Sequence, residues 1–274
     1  MNKNFVFLML SFIFLFSCKK EEKKEDKREI GTYSIAQFMD NETVFGDSFS
    51  QDNSKLLVTS NRSGIFNIYT VPVSGGEFKP ITDSDSSSVY AISYFPEDER
   101  ILFRMDDNGD EVFKLYVKNE DSIQRLTPAE NARAIFYTWA KDDKSFYYAS
   151  NQRDNRFMDL YKMDIETFTP KLIYENNEGY EVSAISNDGN YLALSKALNT
   201  NDSDLFLYNL KNEDLTKINQ EQSANAAQDF SEDDSFLYYT TDAGSEFSYL
   251  MKYDIANKTS EKVLEKEWDI MGMG

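Results

Sequence analysis

Residues 49–71 read FSQDNSKLLVTSNRSGIFNIYTV. Two apolar runs flank a polar turn, and Asp52-Asn53 and Ser63-Gly64 punctuate them. Taken alone, the stretch predicts a β-hairpin. Laid against the rest of the chain, it is one copy of a repeat. Phe49-Ser-Gln-Asp52 recurs as Phe95-Pro-Glu-Asp98, Trp139-Ala-Lys-Asp142, Ile185-Ser-Asn-Asp188 and Phe230-Ser-Glu-Asp233. The acidic position steps by 46, 44, 46 and 45 residues. A second anchor, Tyr69, Tyr116, Tyr161, Tyr208 and Tyr253, steps by 47, 45, 47 and 45. Two anchors holding one period, in copies built of short strands, predict an all-β fold: a β-propeller of four-stranded blades.

In the first copy, 44–49 reads as the inner strand, 55–60 as the second, 66–73 as the third, and 79–82 as the last strand at the rim. The blades are predicted at 43–82, 88–127, 132–174, 180–218 and 224–264, with 267–274 as the start of a sixth. Two architectures remain open. One is an open or truncated arc. The other is a closed five-bladed ring, completed by 268–274 or by Tyr33–Phe38. The 17 Tyr and 21 Phe suit the packing of flat blades face to face. Five acidic residues at one period could ring a channel and hold a cation, but Asp also caps tight turns through its own backbone, and that is the expected role. The loop 106–111, Asp-Asp-Asn-Gly-Asp-Glu, is read the same way. An EF-hand needs Gly at its sixth position and a bidentate Glu at its twelfth, and Glu111 and Val117 stand there. No metal and no other cofactor is expected.

The two ends differ from this body. Residues 1–17 carry Lys3 and an apolar run from Phe5 to Phe16 that is too short to span a bilayer. Leu15-Phe16-Ser17-Cys18 then resembles a bacterial lipoprotein signal, which implies cleavage before Cys18 and lipid attachment to that residue. Cys18 is the single Cys, so no intramolecular disulfide is possible. The tether 18–29 contains KKEEKKEDKRE (19–29), a solvated run without an apolar residue. Its Lys20-Glu21-Glu22 resembles the tag that sends some outer-membrane lipoproteins to the cell surface. The expected location is the bacterial envelope, held at the outer membrane by lipid. Residues from Ile30 onward keep 22 Lys+Arg against 43 Asp+Glu of the chain's 29 and 48. Such a surplus of acid repels phosphate backbones and excludes nucleic acid as a partner.

The segment YSIAQFMDNETVFGDSFSQDNSKLLVTSNRSGIFNIY (33–69) resembles the opening of the propeller in prolyl oligopeptidase-family serine peptidases, in particular the acylaminoacyl-peptidase-like branch. DDNGDEVFKLY (106–116) and SNQRDNRFMDLYKMD (150–164) are similar to its second and third blades. The resemblance covers 33–274. It implies a propeller that gates an α/β-hydrolase by size, admitting peptides and excluding folded proteins. The chain itself holds no His and no Gly-x-Ser-x-Gly elbow, so the usual serine triad has no base here and no catalytic residue is expected. The paired-Glu motif of dipeptidyl-peptidase relatives is absent from the propeller; Glu21-Glu22 lies in the tether. The leading expectation is therefore the non-catalytic propeller portion of a lipid-anchored peptidase, cut off before its hydrolase. Two alternatives stand beside it: a free-standing binding propeller resembling the Tol-system module, holding a protein or peptide, and a five-bladed glycosidase using carboxylates, which needs no His.

Overall fold

A computed structural model of the chain describes residues 31–272 apart from Asp121. Cys18 and the whole tether lie outside the described residues. The chain divides into two units, 1–41 and 42–274.

The described part of the first unit contains helix α1, Ile35–Met39. Ser34 Oγ accepts from the Gln37 N–H at 3.2 Å, and Gln37 Oε1 accepts from the Ser34 N–H at 2.9 Å. This reciprocal capping box fixes a helix start. It corrects the expectation that Tyr33–Phe38 pairs as a ring-closing strand. The backbone groups a ladder would need are used within the helix, with Phe38 N–H donating to Ser34 O and Asp40 N–H to Ala36 O.

The second unit is five four-stranded antiparallel sheets. The first holds β1 (Val44–Phe49), β2 (Lys55–Ser60), β3 (Asn67–Pro72) and β4 (Lys79–Pro80). The second holds β5 (Val89–Tyr94), β6 (Ile101–Met105), β7 (Lys114–Lys118) and β8 (Ile123–Arg125). The third holds β9 (Ala134–Trp139), β10 (Ser145–Ser150), β11 (Asp159–Asp164) and β12 (Pro170–Tyr174). The fourth holds β13 (Glu181–Ile185), β14 (Tyr191–Ala197), β15 (Ser203–Asn209) and β16 (Asp214–Lys217). The fifth holds β17 (Asn225–Phe230), β18 (Phe236–Thr241), β19 (Tyr249–Asp254) and β20 (Thr259–Leu264). Within each sheet the strands neighbour one another in chain order. Each sheet is a propeller blade, and its first strand is the inner one.

A sheet sandwiched between two others must be apolar on both faces, and β10 is buried at all six positions. Apolar seams join consecutive blades. Leu57 and Ile68 pack with Val89 and Phe103, and Leu102 and Leu115 with Phe146 and Tyr148. Leu160 and Tyr174 pack with Leu192 and Leu194, and Leu205 and Leu207 with Leu237 and Tyr253. Each such side chain contributes about 1.5–3 kcal/mol by leaving water, which makes the seams the main source of stability. Polar contacts set their register. Tyr94 N–H donates to Ser48 Oγ at 2.9 Å, and Trp139 Nε1–H to Ser93 Oγ at 3.0 Å. Asn187 N–H donates to Asp234 Oδ1 at 2.8 Å. Each of these reaches one repeat along the chain. Among the described residues no comparable seam joins the first and fifth blades, and Val44 and Phe49 on β1, like Val263 and Leu264 on β20, stay exposed. The propeller is an open arc.

Residues 267–272 contain no strand, since a lone inner strand has no ladder partner. One backbone bond of this segment resembles those at earlier blade starts. Ile270 N–H donates to Ser248 O at 3.0 Å, the bond that Val89 makes to Phe66 O and Ala134 to Phe113 O, both at 2.9 Å, where the second and third blades begin.

Candidate functional site

The periodic carboxylates close turns. Each accepts from the N–H two residues on, closing the turn between the first and second strands of its blade. Asp52 takes Ser54 N–H, Asp98 takes Arg100, Asp142 takes Lys144, Asp188 takes Asn190 and Asp233 takes Ser235. The distances are 3.0, 2.8, 3.0, 2.9 and 3.1 Å in the same order. The charge is stabilised within the turn. Hydrogen bonds from the Ser54 and Ser50 hydroxyls bring Asp52 down to about 2. At Asp233 the Ser231 hydroxyl lowers the carboxyl, and at Asp142 the Lys144 N–H does. At Asp188 burial pushes upward, and hydrogen bonds from Asn190 and Ser186 outweigh it. These oxygens are spent on the backbone, as the turn reading requires. The 106–111 loop is likewise a turn: Asp110 Oδ1 accepts from Asp107 and Val112 N–H at 3.0 and 2.9 Å. Among the described residues no group of three or more His, Cys, Asp or Glu is placed to hold a metal ion.

A different periodic feature lies on the inner strands. Every inner pair carries a β-bulge at the same register. In the first blade it covers Gly46 and Asp47, between the pairs Phe45–Thr59 and Ser48–Leu57. In the next four the extra residue is Ile92, Tyr137, Ser183 and Gln228. A bulge bends its strand and re-aims the extra side chain. Three of these residues, Tyr137, Ser183 and Gln228, line one cavity of about 270 Å³ shared by the inner strands of the third, fourth and fifth blades. Trp139, Lys141 and Asp229 complete its polar and aromatic wall.

The bulge side chains of this wall offer hydrogen bonding. Burial, with a smaller contribution from the Glu181 carboxylate, pushes the Tyr137 phenol up to about 12, so it stays a neutral donor at physiological pH. Ser183 Oγ donates to Ser195 Oγ at 3.1 Å, another hydroxyl. Gln228 Nε2 donates to Thr240 Oγ1 at 3.1 Å and to Ala226 O at 3.3 Å. Asp229 accepts from the Phe230 N–H at 2.8 Å. Such groups are complementary to the N–H and C=O groups of amides. The sequence reading missed them because the four bulge side chains share no chemistry. Their signal was positional: Ile92, Tyr137, Ser183 and Gln228 each stand six residues before the turn Asp of their blade, or five in the third, fourth and fifth.

The family described as prolyl oligopeptidase, N-terminal beta-propeller domain, matches residues 81–271. No curated relative matches by sequence. Among solved structures, puromycin hydrolase (S511A mutant complexed with PGG) is similar at TM-score 0.59 and 10% identity, over 81% of this chain and 37% of that one. Prolyl oligopeptidase B from Galerina marginata is similar at TM-score 0.57 and 14% identity, over 82% and 38%. TolB from Acinetobacter baumannii is similar at TM-score 0.50 and 16% identity, over 83% and 56%. The chain thus spans little more than a third of the two hydrolases and just over half of that TolB. At these identities the likeness is one of fold.

Proposed function

The chain belongs to the prolyl oligopeptidase N-terminal β-propeller family, and on that premise we propose that it is the substrate-admitting propeller of a lipid-anchored peptidase, receiving unfolded peptides at its inner strands and passing cleavage to a hydrolase domain. The observation that carries the reading is the convergence of Tyr137, Ser183 and Gln228, bulged out of three successive inner strands, on one cavity. A blade needs no bulge residue of any particular chemistry to fold. Three neutral hydrogen-bonding side chains in one place suit the main chain of a peptide, which offers the complementary donors and acceptors. The absence of His from the sequence leaves cleavage to another domain.

The test is calorimetric titration of the full chain with short unstructured peptides and, separately, with a stably folded protein of similar charge. The expected result is saturable peptide binding, no binding of the folded protein, and only background turnover of acylaminoacyl and prolyl chromogenic peptides. Turnover abolished by a serine-directed phosphonate would overturn the division of labour. Tight binding of the folded protein instead of peptides would favour a free-standing binding propeller. Anchoring is proposed to run through lipid on Cys18; Cys18→Ala that still fractionates with membranes at mature size would refute it.

A further inference from the structure

The second blade departs from the repeat at one position. On the second strand, two residues beyond the partner of the first inner-strand residue after the bulge (Leu57, Leu102, Tyr147, Ala193 and Tyr238), the other four blades place a small side chain: Thr59, Ala149, Ser195 and Thr240. In the second blade that position is Arg104, paired across the ladder with Tyr90. Its guanidinium lies 5.0 Å from the centre of the Tyr90 ring and 5.0 Å from that of Phe113. The two rings meet edge-on at 5.4 Å, so Arg104 is held by aromatic faces and not by an acid. Among the described residues its guanidinium has no carboxylate or carbonyl partner, in a chain whose formal charge is −19.

The rings do not stop at Arg104. Phe66 lies 5.1 Å from Tyr90, and Phe45 lies 5.9 Å from Phe66 and 6.2 Å from Tyr90. Phe45 is 44% exposed. The result is an aromatic surface crossing from the first blade to the second, ending on a fixed cation with its fork of N–H donors free. A guanidinium in that state matches the two oxygens of a carboxylate. Nothing in the blade repeat calls for it, and departures from local consistency without a folding reason mark functional positions.

We propose that Arg104 anchors the C-terminal carboxylate of a bound peptide, while the peptide's apolar residues lie on Phe45, Phe66 and Tyr90. This inference rests on the peptide-admitting reading above and assigns the direction in which the peptide lies. The carboxylate gains charge-assisted hydrogen bonds from an already positioned donor; the rings supply apolar contact that tolerates many side chains.

The probe is acetyl-Phe-Ala-Phe with a free C-terminal carboxylate, compared with its C-terminal amide, titrated calorimetrically into the full chain. The free acid is expected to bind about tenfold or more tightly than the amide, the scale of a charged hydrogen bond. Arg104→Gln should erase that difference while leaving the amide's affinity unchanged, and Arg104→Lys should restore part of it. Equal binding of acid and amide by the unaltered chain would overturn the role of Arg104, as would a loss in Arg104→Gln that affects both peptides alike. In either case binding that is weakened by Tyr137→Phe leaves the peptide reading standing. If neither peptide binds, both readings fall.

Discussion

Two periodic features run around the arc, and they obey opposite rules. The turn carboxylates at Asp52, Asp98, Asp142, Asp188 and Asp233 keep one side chain and one hydrogen bond in every blade. The inner-strand bulges keep one backbone event and change the side chain each time, from Ile92 to Tyr137, Ser183 and Gln228. Where the residue is constant, it serves the chain's own backbone. Where only the geometry is constant, the backbone already has what it needs, and the side chain is free to meet something else. Five like charges at one period are therefore a scaffold, and four unlike residues are the candidate reading surface.

The contrast can be broken most directly at the backbone of the first bulge. Gly46 has φ +130°, and a Cβ there would sit 2.6 Å from Leu57 O, a backbone atom that cannot swing away. Gly46→Ala is expected to cost about 1–3 kcal/mol in chemical denaturation, from conformational strain and the clash together. Gly75→Ala is the control. It also has a positive φ, +81°, but open space around the new Cβ, and should cost less. Equal losses would mean that the bulge imposes no tighter requirement than an ordinary turn.

A smaller loss is expected at the constant ring. Asp188→Ala removes acceptors for Asn190 N–H and Ser186 Oγ–H and should cost about 1 kcal/mol, with no change in peptide affinity. The same ring sets the response to acid. Asp52, Asp142, Asp188 and Asp233 are all lowered in the folded chain. A depressed folded value means that the contribution is fully present above the unfolded value of about 3.9 and is lost as pH falls through the folded one. Denaturation midpoints should therefore drop between about pH 4 and the folded value of about 2 at Asp52. The Asp52→Asn variant should show a shallower drop over the same window; an unchanged slope would remove the turns from the account.

The smallest effect on stability belongs to the variable ring. Among the described residues the Tyr137 hydroxyl has no hydrogen-bond partner, so Tyr137→Phe should move stability by no more than about 0.5 kcal/mol, while weakening peptide binding several-fold. A large loss of stability with unchanged binding would reverse the assignment of the two rings.

The turn ring was legible because its chemistry is local. Asp at one position and an N–H two residues later lie within a single turn, so the side chain and its purpose travel together along the chain. The bulges were not, because a bulge exists only relative to a partner strand: Tyr137 is extra only when Phe136 and Thr138 find Tyr148 and Tyr147. Arg104 is illegible in the sequence for the same reason, since its oddity appears only against Thr59, Ala149, Ser195 and Thr240 in register. The helix at Ile35–Met39 is a plainer lesson. Ser34-Ile-Ala-Gln37 carries a capping-box signature, and that local signal outweighs a role as a ring-closing strand.

The arrangement of the seams also bears on how the chain reaches its fold. Every sheet is completed by strands adjacent in sequence. The side-chain hydrogen bond from Arg100 to Ile165 O reaches 65 residues, and the seam bonds described above span a single repeat. A contact across the whole arc would enclose a loop more than three times longer than the Arg100 bond does, adding about 1 kcal/mol of closure entropy by the logarithmic dependence on length. Without that closure, each blade needs only its predecessor as a template. Folding of the arc can advance as a front, one blade at a time, at the pace of local hairpin formation, and a chain delivered from one end could order itself as it emerges.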